Sequence, residues 1–130
     1  MLYRVFIVDD NAAVRTAVRN MLQTSGFEIC GEAFDGLDAV ERAPEISPDL
    51  IILDVSMPRL NGLDAACKLR DIHPKVPILL YTSHAAVIRS DASLPVGVSA
   101  VVDKRENLLP RVLQLLPKSD AGSAAPRADQ

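Results

Sequence analysis

Asp9, Asp10, Asp54, Thr82 and Lys104 are the residues of this 130-residue chain whose types, taken together, could do chemistry. Each closes or follows a short apolar run: "FIVDD", "LIILD", "ILLYT" and "AVVDK". Taken singly, each has an ordinary explanation. Asp9-Asp10 could be the charge pair of a helix N-terminus. Asp54 could be a satisfied buried acid, Thr82 a plain strand-end residue and Lys104 a solvated lysine. Gathered in one crevice they would mean more. Neighbouring carboxylates cannot all stay ionised unless a cation joins them, and hard oxygen donors suit Mg²⁺. The ammonium and the hydroxyl are then spare to bind the oxygens of an anion. Metal, ammonium and hydroxyl around a carboxylate describe a site for phosphoryl transfer, with the carboxylate as nucleophile.

Such a site exists only if the fold brings the five together. The patterning predicts strands over residues 3–8, 27–33, 50–54, 76–82 and 100–103. The third, Leu50 to Asp54, is apolar without alternation, as in a sheet covered on both faces. Between the strands fall helical patterns. The first is capped by Asn11 and ended by Gly26. The second carries Leu37, Val40 and Ala43 and is limited by Pro44. The third runs over 62–72. The fourth, over 85–94, is a weak helix interrupted by Ser90, Asp91 and Ser93 and stopped by Pro95. The last is capped by Asn107, with Pro110 in its first turn. Five alternations of strand and helix specify an α/β fold with a parallel sheet. Ligands of such folds lie beyond the carboxyl ends of the strands, where all five residues fall.

Bulk properties narrow the partners. The net charge is −3, which disfavours direct binding to nucleic acid or an anionic membrane. No apolar run approaches the roughly 20 residues of a membrane span, and the N-terminus lacks the apolar length of a signal peptide. Cys30 and Cys67 fit no metal or redox spacing and are expected as reduced thiols in a cytoplasmic protein. One domain is expected over 1–117. Residues 118–130, rich in Ala, Ser and Pro without periodicity, are expected to be a disordered tail.

The segments "VDDN", "LIILDVSMPRLNGLDA", "ILLYTSH" and "VVDK" resemble the signatures of response-regulator receiver domains of two-component signalling. The resemblance extends from residue 3 to about residue 116 and rests on four segments in order. It implies a chemotaxis-regulator-like, flavodoxin-like fold: a doubly wound five-stranded parallel sheet of strand order 2-1-3-4-5 with five helices. It implies that Asp54 accepts a phosphoryl group from a sensor histidine kinase or a phosphotransfer protein and that a downstream protein reads the result. Asp10, Asp54 and the backbone carbonyl of Ser56 would hold Mg²⁺, with Asp9 acting through water. Thr82 would hydrogen-bond the phosphoryl group and Lys104 would pair with one of its oxygens. Pro58 and Gly62 would shape the loop after Asp54. Such a chain would catalyse only its own phosphorylation and dephosphorylation.

Departures from the family pattern are local. Arg105 follows Lys104 where the family usually has proline. Val101 stands where an aromatic residue usually carries the switch outward. His84 and Ser56 border the expected phosphoryl site and either tune access of the hydrolytic water or are plain loop residues. Other readings fit less well. A pseudo-receiver would not need the five intact residues. A haloacid-dehalogenase-type phosphatase needs a second aspartate where Ser56 stands. A flavodoxin-like FMN carrier needs a Ser/Thr/Gly-rich loop where "DDNAAV" would repel a phosphate. The receiver half of a truncated transcriptional regulator remains an open alternative to a stand-alone domain.

Overall fold

Asp9 and Asp54 come side by side because the runs that precede them form adjacent strands. In the computed structural model, which describes residues 2–89 and 94–116, β1 (Arg4–Val8) lies between β2 (Glu28–Ala33) and β3 (Leu50–Leu53). β4 (Ile78–Thr82) and β5 (Ala100–Asp103) complete the sheet. All pairings are parallel. The order is β2-β1-β3-β4-β5, so the fold is the expected doubly wound, flavodoxin-like one. Chain order reverses between β1 and β3, which makes their carboxyl ends the switch point where ligands of such sheets bind. Val8 pairs with Leu53, and Thr82 with Asp103, so the strands end on a common edge.

Four helices return the chain to the start of each next strand, α1 (Ala12–Thr24), α2 (Gly36–Arg42), α3 (Gly62–Ile72) and α4 (Ala85–Arg89), and a fifth, α5 (Leu109–Leu115), follows the last strand. Side-chain caps set the starts of the first three. Asn11 Oδ1 accepts from the amides of Ala13 and Val14 (2.9 and 3.2 Å), and Asn61 Oδ1 from those of Leu63 and Asp64 (2.9 and 3.0 Å). Asp35 Oδ1 accepts from Asp38 N–H (2.8 Å). Each satisfies amides that no helical carbonyl can reach.

Alternation along the strands divides the core. Phe6, Val8, Ile51, Leu53, Ile78 and Leu80 face Ala39, Ala65, Ala66, Leu69 and Ala85. Val5, Ile7, Leu50, Ile52 and Leu79 face Val18, Leu22, Leu108 and Val112. At about 1.5–3 kcal/mol for each large aliphatic side chain fully buried, these two layers dominate the stability that holds the strand ends rigid.

Several boundaries differ from expectation. β1, β2 and β4 begin one, one and two residues later than the patterning suggests. For β4 the reason is Pro77, which has no N–H to give the ladder; its carbonyl still accepts from Ile51 N–H (3.0 Å). Asp54 lies just past β3 rather than inside it. Pro44 does more than limit α2: it sits in the first turn of a 3₁₀ helix, Ala43–Glu45, that extends it. Asn107 accepts from Leu109 N–H (3.2 Å), but the residue flanking α5 is Leu108, one position later than the expected cap. Of the weak helix expected over 85–94, Ala85–Arg89 is helical and Leu94 is not. Residues 90–93 and the expected tail, 118–130, lie outside the described residues. Among the described residues no helix is long and apolar enough to cross a membrane.

Candidate functional site

Four of the predicted site residues meet at the switch point. Oxygens of Asp9, Asp10 and Asp54 lie within 4.8 Å of one another. Lys104 Nζ reaches in from the far side of the sheet, 2.9 Å from Asp9 Oδ2 and 3.3 Å from Asp54 Oδ2. Asp9 and Asp54 are buried, 3% and 5% exposed, while Asp10 is open to solvent.

Each acid is oriented by the backbone around it. Asp54 N–H continues the sheet by donating to Val8 carbonyl (3.0 Å), and Asp54 Oδ1 accepts from Val55 N–H (2.8 Å). That leaves Oδ2 toward the lysine. Asp9 N–H donates to Ala33 carbonyl (3.1 Å) and Asp9 Oδ1 accepts from Asn11 N–H (2.9 Å). Arg15, one turn into α1, donates from Nη1 to Asp9 carbonyl (2.6 Å); its Nε and Arg19 both reach Glu32 on β2 (3.3 and 2.7 Å).

The loop after Asp54 is fixed by close packing. A Cβ on Gly62 would stand 1.9 Å from Asp54 carbonyl oxygen, a contact only glycine permits. Gly62 N–H donates to Val55 carbonyl (2.8 Å). Gly36 performs the same service for the far end of the loop, where a Cβ would meet Leu60 carbonyl oxygen at 2.0 Å. Pro58 and Ser56 are exposed in this loop.

Thr82 ends β4 fully buried, and its Oγ1 accepts from His84 N–H (3.0 Å). The hydroxyl proton therefore remains available for donation. Lys104 N–H donates to Thr82 carbonyl (3.0 Å), so the hydroxyl and the ammonium are set by neighbouring backbone.

Burial, and then the Asp9 charge, push the Asp54 carboxyl above its ordinary range, against the pull of Lys104. Burial alone would lower the Lys104 ammonium; its contacts with Asp9 and Asp54 outweigh this and hold it above its usual value. One ammonium among three carboxylates leaves two negative charges uncompensated. Clustered hard oxygen donors short of two positive charges fit a divalent cation such as Mg²⁺.

The sequence reading missed the residues that hold this set in place. Arg15 and Tyr81 act on backbone carbonyls, Tyr81 donating its hydroxyl to Lys104 carbonyl (3.2 Å). A tyrosine within a buried strand was the available signal, since a buried phenol finds a partner. His73 uses Nε2 to tie the end of α3 to Ala43 carbonyl (2.7 Å).

Comparison with known proteins agrees with this geometry. Residues 5–113 match the family model of the response regulator receiver domain. Response regulator MprA of Mycobacterium avium is 36% identical over 129 residues, covering 94% of this chain and 56% of that protein. The chain spans about half the length of the curated relatives it matches. Among solved structures, response regulator protein TrrA of Thermotoga maritima, in complex with Mg²⁺–BeF, is 32% identical with a TM-score of 0.79. That match covers 88% of this chain and all of TrrA. Chemotaxis protein CheY4 of Vibrio cholerae is 29% identical with a TM-score of 0.80, covering 89% of this chain and all of the other. With residues 5–113 matching the family model and solved relatives sharing the fold, the chain belongs to the response regulator receiver domains of two-component signal transduction.

Proposed function

We propose that Asp54 accepts a phosphoryl group from the phosphohistidine of a sensor histidine kinase or phosphotransfer protein, in a Mg²⁺-dependent reaction, and that the modified domain changes its contacts with a downstream protein. The observation that carries this reading is a buried Asp54 within 3.3 Å of Lys104 Nζ and in one cluster with Asp9 and Asp10.

A carboxylate oxygen of Asp54 forms a bond to phosphorus as the phosphorus–nitrogen bond breaks, and the electron pair of that bond returns to the imidazole. The phosphoryl oxygens carry their charge through the transition state, so catalysis is mainly positioning and electrostatics. Lys104 meets one of those oxygens, exchanging its contact with Asp54 for one with the new group. Thr82 donates its hydroxyl proton to another. Asp10, Asp54 and the carbonyl of Ser56 would hold the Mg²⁺, with Asp9 contributing through water; the bound ion supplies the remaining positive charge. Attack of water on the same phosphorus returns Asp54 and phosphate, so the chain acts on itself and not on an external substrate.

The test is phosphoryl uptake from acetyl phosphate with Mg²⁺, read by mass spectrometry. The intact chain should gain one phosphoryl mass, and Asp54→Asn none while keeping its circular dichroism. Stoichiometric, Mg²⁺-dependent uptake by Asp54→Asn would overturn the assignment of the nucleophile.

A further inference from the structure

Lys104 sits in a tight turn that has its own supports, and they lead away from the acids. Its N–H is held by Thr82 carbonyl (3.0 Å) and its carbonyl by Tyr81 hydroxyl (3.2 Å). On either side the turn closes on itself. Glu106 N–H donates to Asp103 carbonyl (2.8 Å), and Asp103 N–H donates back to Glu106 Oε1 (3.0 Å). Arg105 folds onto Asp103 through its own N–H and both ends of its guanidinium (2.8–2.9 Å). Polar side chains thus brace the turn at the position where the family usually has proline.

The same Glu106 oxygen also receives Arg89 Nη2 (3.1 Å). Arg89 is the last residue of α4, and the same nitrogen donates to Val101 carbonyl in β5. One guanidinium therefore joins a helix, an edge strand and the lysine turn. Its ion pair with Glu106 borders an open cleft of about 420 Å³ lined by Ala86, Arg89, Asp103, Arg105 and Glu106, so the charge attraction by itself contributes little. What the contact supplies is geometry. Val101 is buried and aliphatic, and its stiff β-branched side chain has little rotamer freedom with which to report a change; its carbonyl is the group that α4 holds.

We propose that Arg89 and Glu106 are positioning residues for Lys104, and that through them α4 is coupled to the movement of Lys104 when the acid pocket changes state. The inference deepens the proposed function and rests on it for the chemical step alone. When Lys104 moves from Asp54 to a phosphoryl oxygen, the turn that carries it moves with it. The Glu106–Arg89 contact then transmits that motion to α4 and to the backbone of β5.

The experiment uses the full chain, with Arg89→Ala, Arg89→Lys and Glu106→Ala beside the unaltered protein. Amide hydrogen exchange is read at Lys104 and Glu106 and normalised to Val8 and Leu53, so that a general loss of stability cancels. Arg89→Ala and Glu106→Ala should speed the normalised exchange about tenfold, and Arg89→Lys by less. Limiting uptake from acetyl phosphate should fall about fivefold in the first two, at an unchanged half-saturating Mg²⁺ concentration, because the acids are untouched. Normalised exchange within twofold of the unaltered protein would overturn the proposal. So would faster exchange with undiminished uptake. If the unaltered chain takes up no phosphoryl group while the exchange effect is present, the coupling of α4 to the lysine turn stands and the proposed function is what fails.

Discussion

Arg59 grips the buried carboxylate of Asp35 with both ends of its guanidinium, Nε to Oδ2 at 2.6 Å and Nη2 to Oδ1 at 3.2 Å. The same guanidinium lies over the Phe34 ring, 5.6 Å from its centroid. Arg59 thereby ties the loop after Asp54 to the start of α2, and it does so at a φ of 66°, where a non-glycine residue is strained. Arg59→Ala keeps the strain and loses the grip, leaving a buried acid without its partner. Its melting temperature should fall by several degrees. Arg59→Gly loses the same grip but relieves the backbone, so it should melt about 4–8 °C above the alanine variant. Equal melting temperatures would mean that the backbone is not strained there.

Acid should weaken the fold through the same pair. Arg59 is the main cause of the depressed Asp35 carboxyl, ahead of the opposing effect of burial. A carboxylate whose folded value lies below its unfolded one gives stability that is fully present above about pH 4 and is lost as pH falls through the folded value. Asp103, held down by Arg105, and Glu106, held down first by Asp103 N–H and then by Arg89, act in the same direction. The slope of melting temperature against pH below about pH 4.5 should therefore be shallower in Arg59→Ala than in the unaltered chain. Parallel slopes would remove Asp35 from this account.

Three glycines should separate by what a methyl group would strike. Gly62→Ala and Gly36→Ala drive a Cβ to about 2 Å from backbone oxygens that have no rotamer to escape into. Each should lower the melting temperature by more than about 10 °C, well beyond an average substitution of roughly 1 kcal/mol. At Gly26 a Cβ meets nothing, although φ is 92°. Gly26→Ala should cost only about 1–2 kcal/mol of backbone strain. Thermal melts of the three variants decide it.

Divalent cation should stabilise the chain in proportion to its binding. Mg²⁺ at ten times its dissociation constant would add about 1.4 kcal/mol to a native state that alone binds it. The melting temperature should rise by several degrees. Asp10 is the exposed member of the cluster and does not share the Lys104 contacts of Asp9 and Asp54. Asp10→Ala should remove most of the rise without lowering stability in the absence of Mg²⁺. Retention of the full rise would exclude Asp10 as a ligand.

The sheet and the acid cluster were legible in the sequence because both depend on local pattern. An apolar run ending in a polar residue marks a strand end, and a parallel α/β sheet collects strand ends on one edge. What stayed hidden depends on tertiary reach. Arg15 to Asp9, Tyr81 to Lys104 and Arg89 to Val101 are all contacts to backbone carbonyls, an acceptor that every residue carries and that no spacing marks. The Asp35–Arg59 pair spans 24 positions and two elements, and long guanidinium side chains have many possible partners until neighbours are known. Boundary errors had smaller causes: Pro77 delayed β4, and Asn107 capped one residue early.

The pairing of Val5 with Leu50 has a consequence for the order of folding. β1 and β3 meet only after the chain between them has closed a long loop containing α1, β2 and α2, and contacts of such sequence separation form slowly. Asp9 and Asp54 cannot share a cation until that loop is closed. An ion held by both would then bind the finished sheet and not a half-built one. It would slow unfolding while leaving the rate of folding nearly unchanged, as an interaction absent from the transition state must. The long crossover that makes assembly slow would thus, once the ion is in place, make disassembly slow as well.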